Sequence, residues 1–267
     1  MRFKLKLQVE PQISGCEIPI NYQYELSSII YKIIANGNEQ YSKMLHEEGF
    51  VSTTKRFKLF TFSNLIAPYR GIALKKGSDR LVVKSDTLEW YLGFVPKESM
   101  QHFVQGVFIN QRFRLADNMS GAWFKIIEVQ LMPVVEFTDE TEYETISPIT
   151  VAKKVEGKKY AVYIGPSDPS YDNALLTGLL ERYKAINGKD YDGERYCHMT
   201  VINEPKSALI TIKAGTSSET KVKGFRYRFK ISLPQDLMKI AYDCGLGEKG
   251  SMGFGMINLM SKNVNHE

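Results

Sequence analysis

With 267 residues, 43% of them apolar, the chain holds enough nonpolar material for one large core or two small ones, which excludes a disordered class. Its 35 Lys+Arg against 30 Asp+Glu give a net charge of +5, an excess that points to a polyanionic partner only where the cations cluster. Three scattered cysteines, Cys16, Cys197 and Cys244, give neither a disulfide framework nor C-x-x-C zinc spacing, and no run reaches the ~18 apolar residues of a membrane span, so a cytoplasmic protein without a metal is expected.

Residues 2–7 alternate charged and apolar side chains, as a strand does. Leu26, Ile29, Ile30 and Ile33 then mark a helical stripe that Asn36-Gly37-Asn38 interrupts, and a second short helix with Tyr41, Leu45 and His46 closes at Gly49. Strands are expected at 57–64 and 80–85, a helix at 97–109 and a strand at 122–132, roughly a β-α-β-β-α-β order. The acidic stretch 136–144 reads as a linker or a solvated hairpin tip, which divides the chain into domains 1–138 and 139–267.

Beyond that stretch, Asp168-Pro169 offers an N-cap and first-turn pair, Tyr171, Leu175, Leu179 and Tyr183 recur every four residues, and Gly188 supplies the stop. Strands near 197–203, 208–213 and 221–233 follow. Pro234 opens a helix with Leu237, Ile240 and Ala241 on one side, ending at Gly245, and a last strand spans 252–260. The mixture of strands and helices in both halves predicts an α+β protein of two tandem ferredoxin-like (RRM-like) domains.

Between 206 and 230 lie seven cations, Lys206, Lys213, Lys221, Lys223, Arg226, Arg228 and Lys230, and one acid, Glu219. Phe225, Tyr227, Phe229 and Ile231 fall on one face of the predicted strand and Arg226, Arg228 and Lys230 on the other, a pattern shared by a half-buried strand with a solvated basic face and by a nucleic-acid surface. Five glycines follow within residues 245–255, at 245, 247, 250, 253 and 255, where backbone N–H groups could approach an anion. Gly245, Gly247 and Gly250 also spell G-x-G-x-x-G, but a dinucleotide fingerprint follows a strand, and this one follows a helix, which disfavours a nucleotide-dependent oxidoreductase or ATP-utilising protein.

Written as G-h-G-x5-G-h-G, with Leu246 and Phe254 as the apolar positions and Lys249 at its centre, the loop resembles that of the repeat-associated mysterious protein superfamily, ferredoxin-like RNA-binding proteins of CRISPR systems. Met1-Arg2-Phe3, Tyr22-Gln23-Tyr24, Ile30-Tyr31, Leu45-His46-Glu47, Lys58-Leu59-Phe60-Thr61 and Ser147-Pro148-Ile149 resemble segments of the CRISPR-associated endoribonucleases that cut repeat RNA into guide RNAs. The resemblance implies a catalytic trio of Tyr31, His46 and Lys58, with Lys55 competing for the lysine position. It implies RNA contacts from Lys221, Lys223, Arg226, Arg228, Lys230, Gly245, Gly247, Lys249, Gly253 and Gly255. The partner is then the CRISPR repeat RNA of a precursor transcript, with no membrane, cofactor or metal, and with a homodimer or a larger CRISPR interference complex as further partners. A repeat-RNA-binding subunit without catalysis is the alternative class.

The implied chemistry is attack of the RNA 2′-hydroxyl on the neighbouring phosphate, leaving 2′,3′-cyclic phosphate and 5′-OH ends. Tyr31 lies roughly 130° from the centre of its helix's apolar stripe and can face a cleft. His46 sits in the last helical turn, where the helix dipole favours a cation, which suits a general acid. A phenol, with a pKa of about 10, acts as a base only if Lys58 lowers that value; otherwise Tyr31 orients the 2′-hydroxyl.

Overall fold

In the computed structural model, which describes residues 1–260 except 54, 139–140 and 158–159, the opening alternation becomes the middle strand of a five-stranded antiparallel sheet. Arg2–Val9 pairs with Thr87–Phe94 on one side and Gly121–Leu131 on the other, with Phe60–Phe62 and Arg112–Ala116 at the edges. Leu5 and Leu7 are buried while Lys6 and Gln8 are exposed, so one face of the sheet carries the core. The helices Gln23–Gly37 and Lys97–Ile109 supply Leu26, Ile30, Ile33, Phe103 and Val107 to the same cluster. They cross backbone against backbone at Gly37 and Gly106, where a Cβ would strike the carbonyls of His102 and Ile33.

The second half builds a four-stranded sheet in the order His198–Val201, Arg228–Ser232, Glu142–Thr145, Ile257–Leu259. The helices Tyr171–Asn187 and Gln235–Cys244 bury Leu175, Leu179, Leu237 and Ala241 against Tyr143, Phe229 and Ile231 of this sheet. These are the two ferredoxin-like units. The first sheet ends at Leu131 and the second begins at Glu142; Asp139 and Glu140, where the expected linker is most acidic, lie outside the described residues.

Several elements depart from the sequence reading. The strand expected over 57–64 is two: Arg56–Phe57 folds back on Phe50–Val51, and Phe60–Phe62 joins the main sheet. Leu59 between them takes a left-handed φ of 54°. The strand expected over 221–233 breaks at Tyr227: Thr220–Arg226 forms a hairpin with Lys206–Ile212, whereas Arg228–Ser232 enters the second sheet. Tyr227 is buried at the break, its hydroxyl 2.8 Å from that of Tyr171.

Even-numbered Val222 and Gly224 point inward before the break and odd-numbered Phe229 and Ile231 after it. Arg226 therefore turns inward toward Tyr22 rather than sharing the solvent face with Arg228. The helix expected at Asp168-Pro169 starts at Tyr171, because Asp168 instead accepts from the Ser170 amide at 2.9 Å and its hydroxyl at 2.6 Å. The last strand spans only Ile257–Leu259, with a 3₁₀ turn at Gly250–Met252 before it. The 80–85 strand belongs to a small sheet of Glu17–Pro19, Arg80–Val83 and Ile72–Leu74, while the main-sheet strand Thr87–Phe94 had no counterpart in the sequence reading.

One buried cation joins the two halves. Arg2, 3% exposed, donates from Nε to the Tyr242 carbonyl at 2.9 Å and from its terminal nitrogens to the carbonyls of Tyr242 and Ile257, with its guanidinium carbon 3.3 Å from the centroid of the Tyr242 ring. Burial lowers its pKa to about 10, against partial compensation from Tyr242 and Asp243.

Candidate active site

The helices Gln23–Gly37 and Glu39–Glu47 are joined by a tight turn at Asn38, whose side chain caps the latter by accepting from the Tyr41 amide at 2.9 Å. Ser42 donates to the Tyr31 carbonyl at 2.8 Å and so holds the helices together beside the phenol. The result brings the Tyr31 ring edge-on to the His46 ring, with centroids 4.9 Å apart, and 5.6 Å from the Phe60 ring. Lys58 Nζ donates to the His46 backbone carbonyl at 2.6 Å. Phenol, imidazole and ammonium thus gather at one place, and it is Lys58, not the exposed Lys55, that bonds to the histidine residue.

The electrostatic setting separates their roles. Burial raises the Tyr31 phenol well above its usual pKa, only partly offset by a hydrogen bond with Ser251. Lys58 does not lower it. Tyr31 therefore stays protonated, suited to donate or to orient and unsuited to take a proton. Lys58 is itself shifted down, first by partial desolvation and then by the neighbouring Arg56. His46 is exposed in the last turn of Glu39–Glu47.

The strap that carries Lys58 crosses the seam between the cores. Phe50 packs against both cores, Phe57 against the second and Leu59 is buried in it, whereas Phe60 and Phe62 belong to the first. Lys58 is flanked by Phe57 and Leu59, both anchored in the second core, with Phe60 of the first core two residues on, which fixes its Cα while its stem reaches the His46 carbonyl.

On the opposite wall stands the glycine turn. Gly245, Gly247, Gly253 and Gly255 are buried, and their small size serves the protein rather than a ligand: a Cβ on Gly247 would lie 2.5 Å from the Thr150 carbonyl oxygen, and one on Gly255 would strike the Leu246 carbonyl. These four glycines, expected to contact RNA, are thus closely packed within the protein, with Gly247 also lining the cleft. Thr61 donates to Phe254 O at 2.9 Å and Ser27 to Ser251 O at 2.6 Å, pinning the turn to the first domain. Arg182, 6% exposed, donates to Gly245 O at 2.5 Å and to Gly247 O, pinning it to the second.

Only residues 248–252 reach solvent. There Lys249 adopts a left-handed conformation, φ 58° and ψ 34°, and among the described residues the amides of Lys249, Gly250 and Ser251 have no partner. Successive unpaired amides of this kind, beside an ammonium, form a concavity suited to an anion.

Between strap and turn runs a cleft of about 640 Å³, with Lys55, Arg56 and Lys58 on one wall and Lys249, Gly250 and Ser251 on the other. Positive charge with unpaired amides suits a phosphodiester chain. Further out, Lys221 and Lys223 are exposed on the hairpin, with Lys223 Nζ 5.2 Å from the centroid of the half-buried Phe225 ring. Arg228 is exposed, Lys230 half-buried, and Arg226 faces inward as noted.

Ser251 and Arg182 were not anticipated. Arg182 continues the stripe Tyr171, Leu175, Leu179 with a charge three residues on, and that misplaced charge was the available signal. Among the described residues no three His, Cys, Asp or Glu side chains are grouped to hold a metal ion, and no helix is long and apolar enough to cross a membrane.

Comparison with known proteins bears on both halves. The family description "CRISPR-associated protein Cas6, N-terminal" matches residues 17–128 and "CRISPR associated protein Cas6, C-terminal" matches 132–259. A CRISPR-associated endoribonuclease Cas6 of Pyrococcus furiosus is 27% identical over 267 residues, covering 100% of this chain and 93% of its own length. One of Methanocaldococcus jannaschii, Cas6 1, is 28% identical, covering 98% and 94%. Among solved structures, "CRISPR associated protein Cas6" superposes with a TM-score of 0.72 at 26% identity over 98% of this chain and 99% of that one, and "An RAMP protein binding different RNA substrates" with 0.79 at 21% identity over 98% and 100%.

Proposed function

The chain belongs to the Cas6 family of CRISPR-associated proteins, and on that premise we propose that this endoribonuclease cuts CRISPR repeat RNA without a metal, by attack of the RNA's own 2′-hydroxyl. The observation that carries the reading is the meeting of Tyr31, His46 and Lys58 beside a basic interdomain cleft.

The 2′-oxygen attacks phosphorus as the bond from phosphorus to the 5′-oxygen breaks. The 2′-hydroxyl proton goes to solvent water, and the His46 imidazolium delivers a proton to the departing 5′-oxygen. Tyr31, held protonated by burial, orients the 2′-hydroxyl or bonds to a non-bridging oxygen. Lys58 faces the charge that builds on the phosphorane, and the amides of residues 249–251 grip a neighbouring phosphate. All these groups come from one chain, so the chemistry requires neither a second copy nor a larger interference complex. Its substrate, a transcript, assigns the activity to the cytoplasm.

Incubating repeat RNA with the protein and a chelator tests the reading. Cutting should persist, the ends should be 2′,3′-cyclic phosphate and 5′-OH, and a single 2′-deoxy substitution at the scissile nucleotide should stop it. A magnesium requirement, cleavage of the deoxy substrate, or retardation of the RNA without cutting would each overturn it.

The state of Tyr31 makes a separate prediction. Tyr31→Phe should lower the single-turnover rate by about 10–100-fold, the worth of one hydrogen bond to a developing charge, while the pH–rate curve between about pH 6 and 10 keeps its shape, because a phenol shifted upward does not ionise there. Loss of an alkaline rise on substitution would make Tyr31 the base after all.

A further inference from the structure

We propose that Arg182, which does not touch the reacting atoms, is a positioning residue that sets Lys58 against the glycine turn. The proposal rests on the reading of Lys58 as the cation facing the scissile phosphate. Its basis is the set of things one buried guanidinium touches. Arg182 projects from Tyr171–Asn187 and donates to the carbonyls of Gly245 and Gly247, the two residues that lead into the solvent-facing part of the turn. Its guanidinium carbon lies 5.9 Å from the centroid of the Phe57 ring, and Phe57 is the residue before Lys58.

The neighbouring residue on the same helix repeats the connection. Glu181 Oε2 accepts from Ser52 Oγ at 2.5 Å, and Ser52 lies in the turn of the hairpin formed by Phe50–Val51 and Arg56–Phe57. Two consecutive helical residues thus hold both walls of the cleft: Glu181 the far end of the Lys58 hairpin, Arg182 its near end and the turn opposite. Lys58 has a flexible four-carbon stem, so its placement depends on where the strap holds its Cα. A shift of about 1 Å in a catalytic group costs on the order of 10²-fold in rate.

A direct phosphate contact by Arg182 is a different role. The side chain is 6% exposed and its terminal nitrogens are engaged by two carbonyls, which argues for the positioning role. The two roles differ in what they do to binding and in whether they act through Lys58.

The test is a double-mutant cycle on full-length protein, read as the single-turnover cleavage rate of repeat RNA at saturating protein. Arg182→Met keeps the side-chain volume and removes the donors. It should slow cleavage by about 10²-fold in the wild-type background but by less than about 3-fold in Lys58→Ala, where the placement of that ammonium no longer matters. The salt dependence of RNA binding should be unchanged. Equal losses in both backgrounds, or a shallower salt dependence in Arg182→Met, would overturn the positioning role. Should Lys58→Ala itself cut at the wild-type rate, the assignment of Lys58 falls, and the two failures are distinguishable because that result comes from the single variant. If circular dichroism shows that Arg182→Met does not fold, Arg182→Lys, which keeps one donor for the carbonyls, takes its place in the same cycle.

Discussion

His46→Ala should abolish cleavage of repeat RNA, lowering the single-turnover rate by about 10²–10⁴-fold, while repeat RNA binds within about 3-fold of the wild-type affinity. The separation follows from where the side chain stands. His46 is exposed in the last turn of its helix, its ring makes a T-shaped contact with that of Tyr31, and Lys58 bonds to its backbone carbonyl, which alanine retains. Losing the imidazole therefore removes a proton donor without releasing the lysine. The cations proposed to attract RNA, among them Lys221, Lys223, Arg228 and Lys249, lie on other elements. Cleavage at the wild-type rate would exclude His46 as the acid, and a matched loss of binding would make it a structural residue. An RNA with a good leaving group at the 5′ position should rescue the variant, because such a group departs without a proton.

Gly106→Ala should destabilise the protein by on the order of 3 kcal/mol, lowering the melting temperature by roughly 6–12 °C. A methyl group there collides with the Ile33 carbonyl oxygen of the facing helix, and Gly37 closes in the same way on His102. Neither obstacle is a side chain that can swing aside, so the helices must part and loosen the packing of Ile30 and Ile33 against Phe103 and Val107. Thermal unfolding followed by circular dichroism checks this; melting within 2 °C of the wild type would show that the crossing can relax. Because the displaced helix carries Tyr31, activity should fall at temperatures where the fold is still intact.

What could be read in the chain differed by the range of the forces involved. The helices at 23–37, 97–109, 171–187 and 235–244 were legible because one buried face dictates a 3.6-residue period. Thr87–Phe94 was not, although Leu88, Trp90, Leu92 and Phe94 alternate inward, because Tyr91 and Gly93 on the outer face do not look polar. The run Phe57 to Phe62 looks like one apolar strand, and nothing local says that its two ends enter different cores. Two of the buried arginines, Arg2 and Arg182, are satisfied by carbonyls 240 and 63 residues away, partners that exist only after folding.

The position of Tyr31 and His46 was legible through the resemblance of their segments to a known family. Their mutual geometry, and the protonated state of the phenol, required the packing. The glycine run is conspicuous in the sequence, but only the folded chain shows that Gly247, Gly253 and Gly255 are hemmed in by neighbouring carbonyls and a ring while the tip is open.

The anchoring of Phe57 and Leu59 in the second core has a consequence for when this nuclease becomes armed. While the chain is still emerging from the ribosome, the first half can assemble its sheet and bring phenol and imidazole together, but the hydrophobic sites that seat the lysine strap have not yet been synthesised. Fragments that end before the second half thus lack the core in which Phe57 and Leu59 are seated, and with it the anchoring of the strap that carries Lys58.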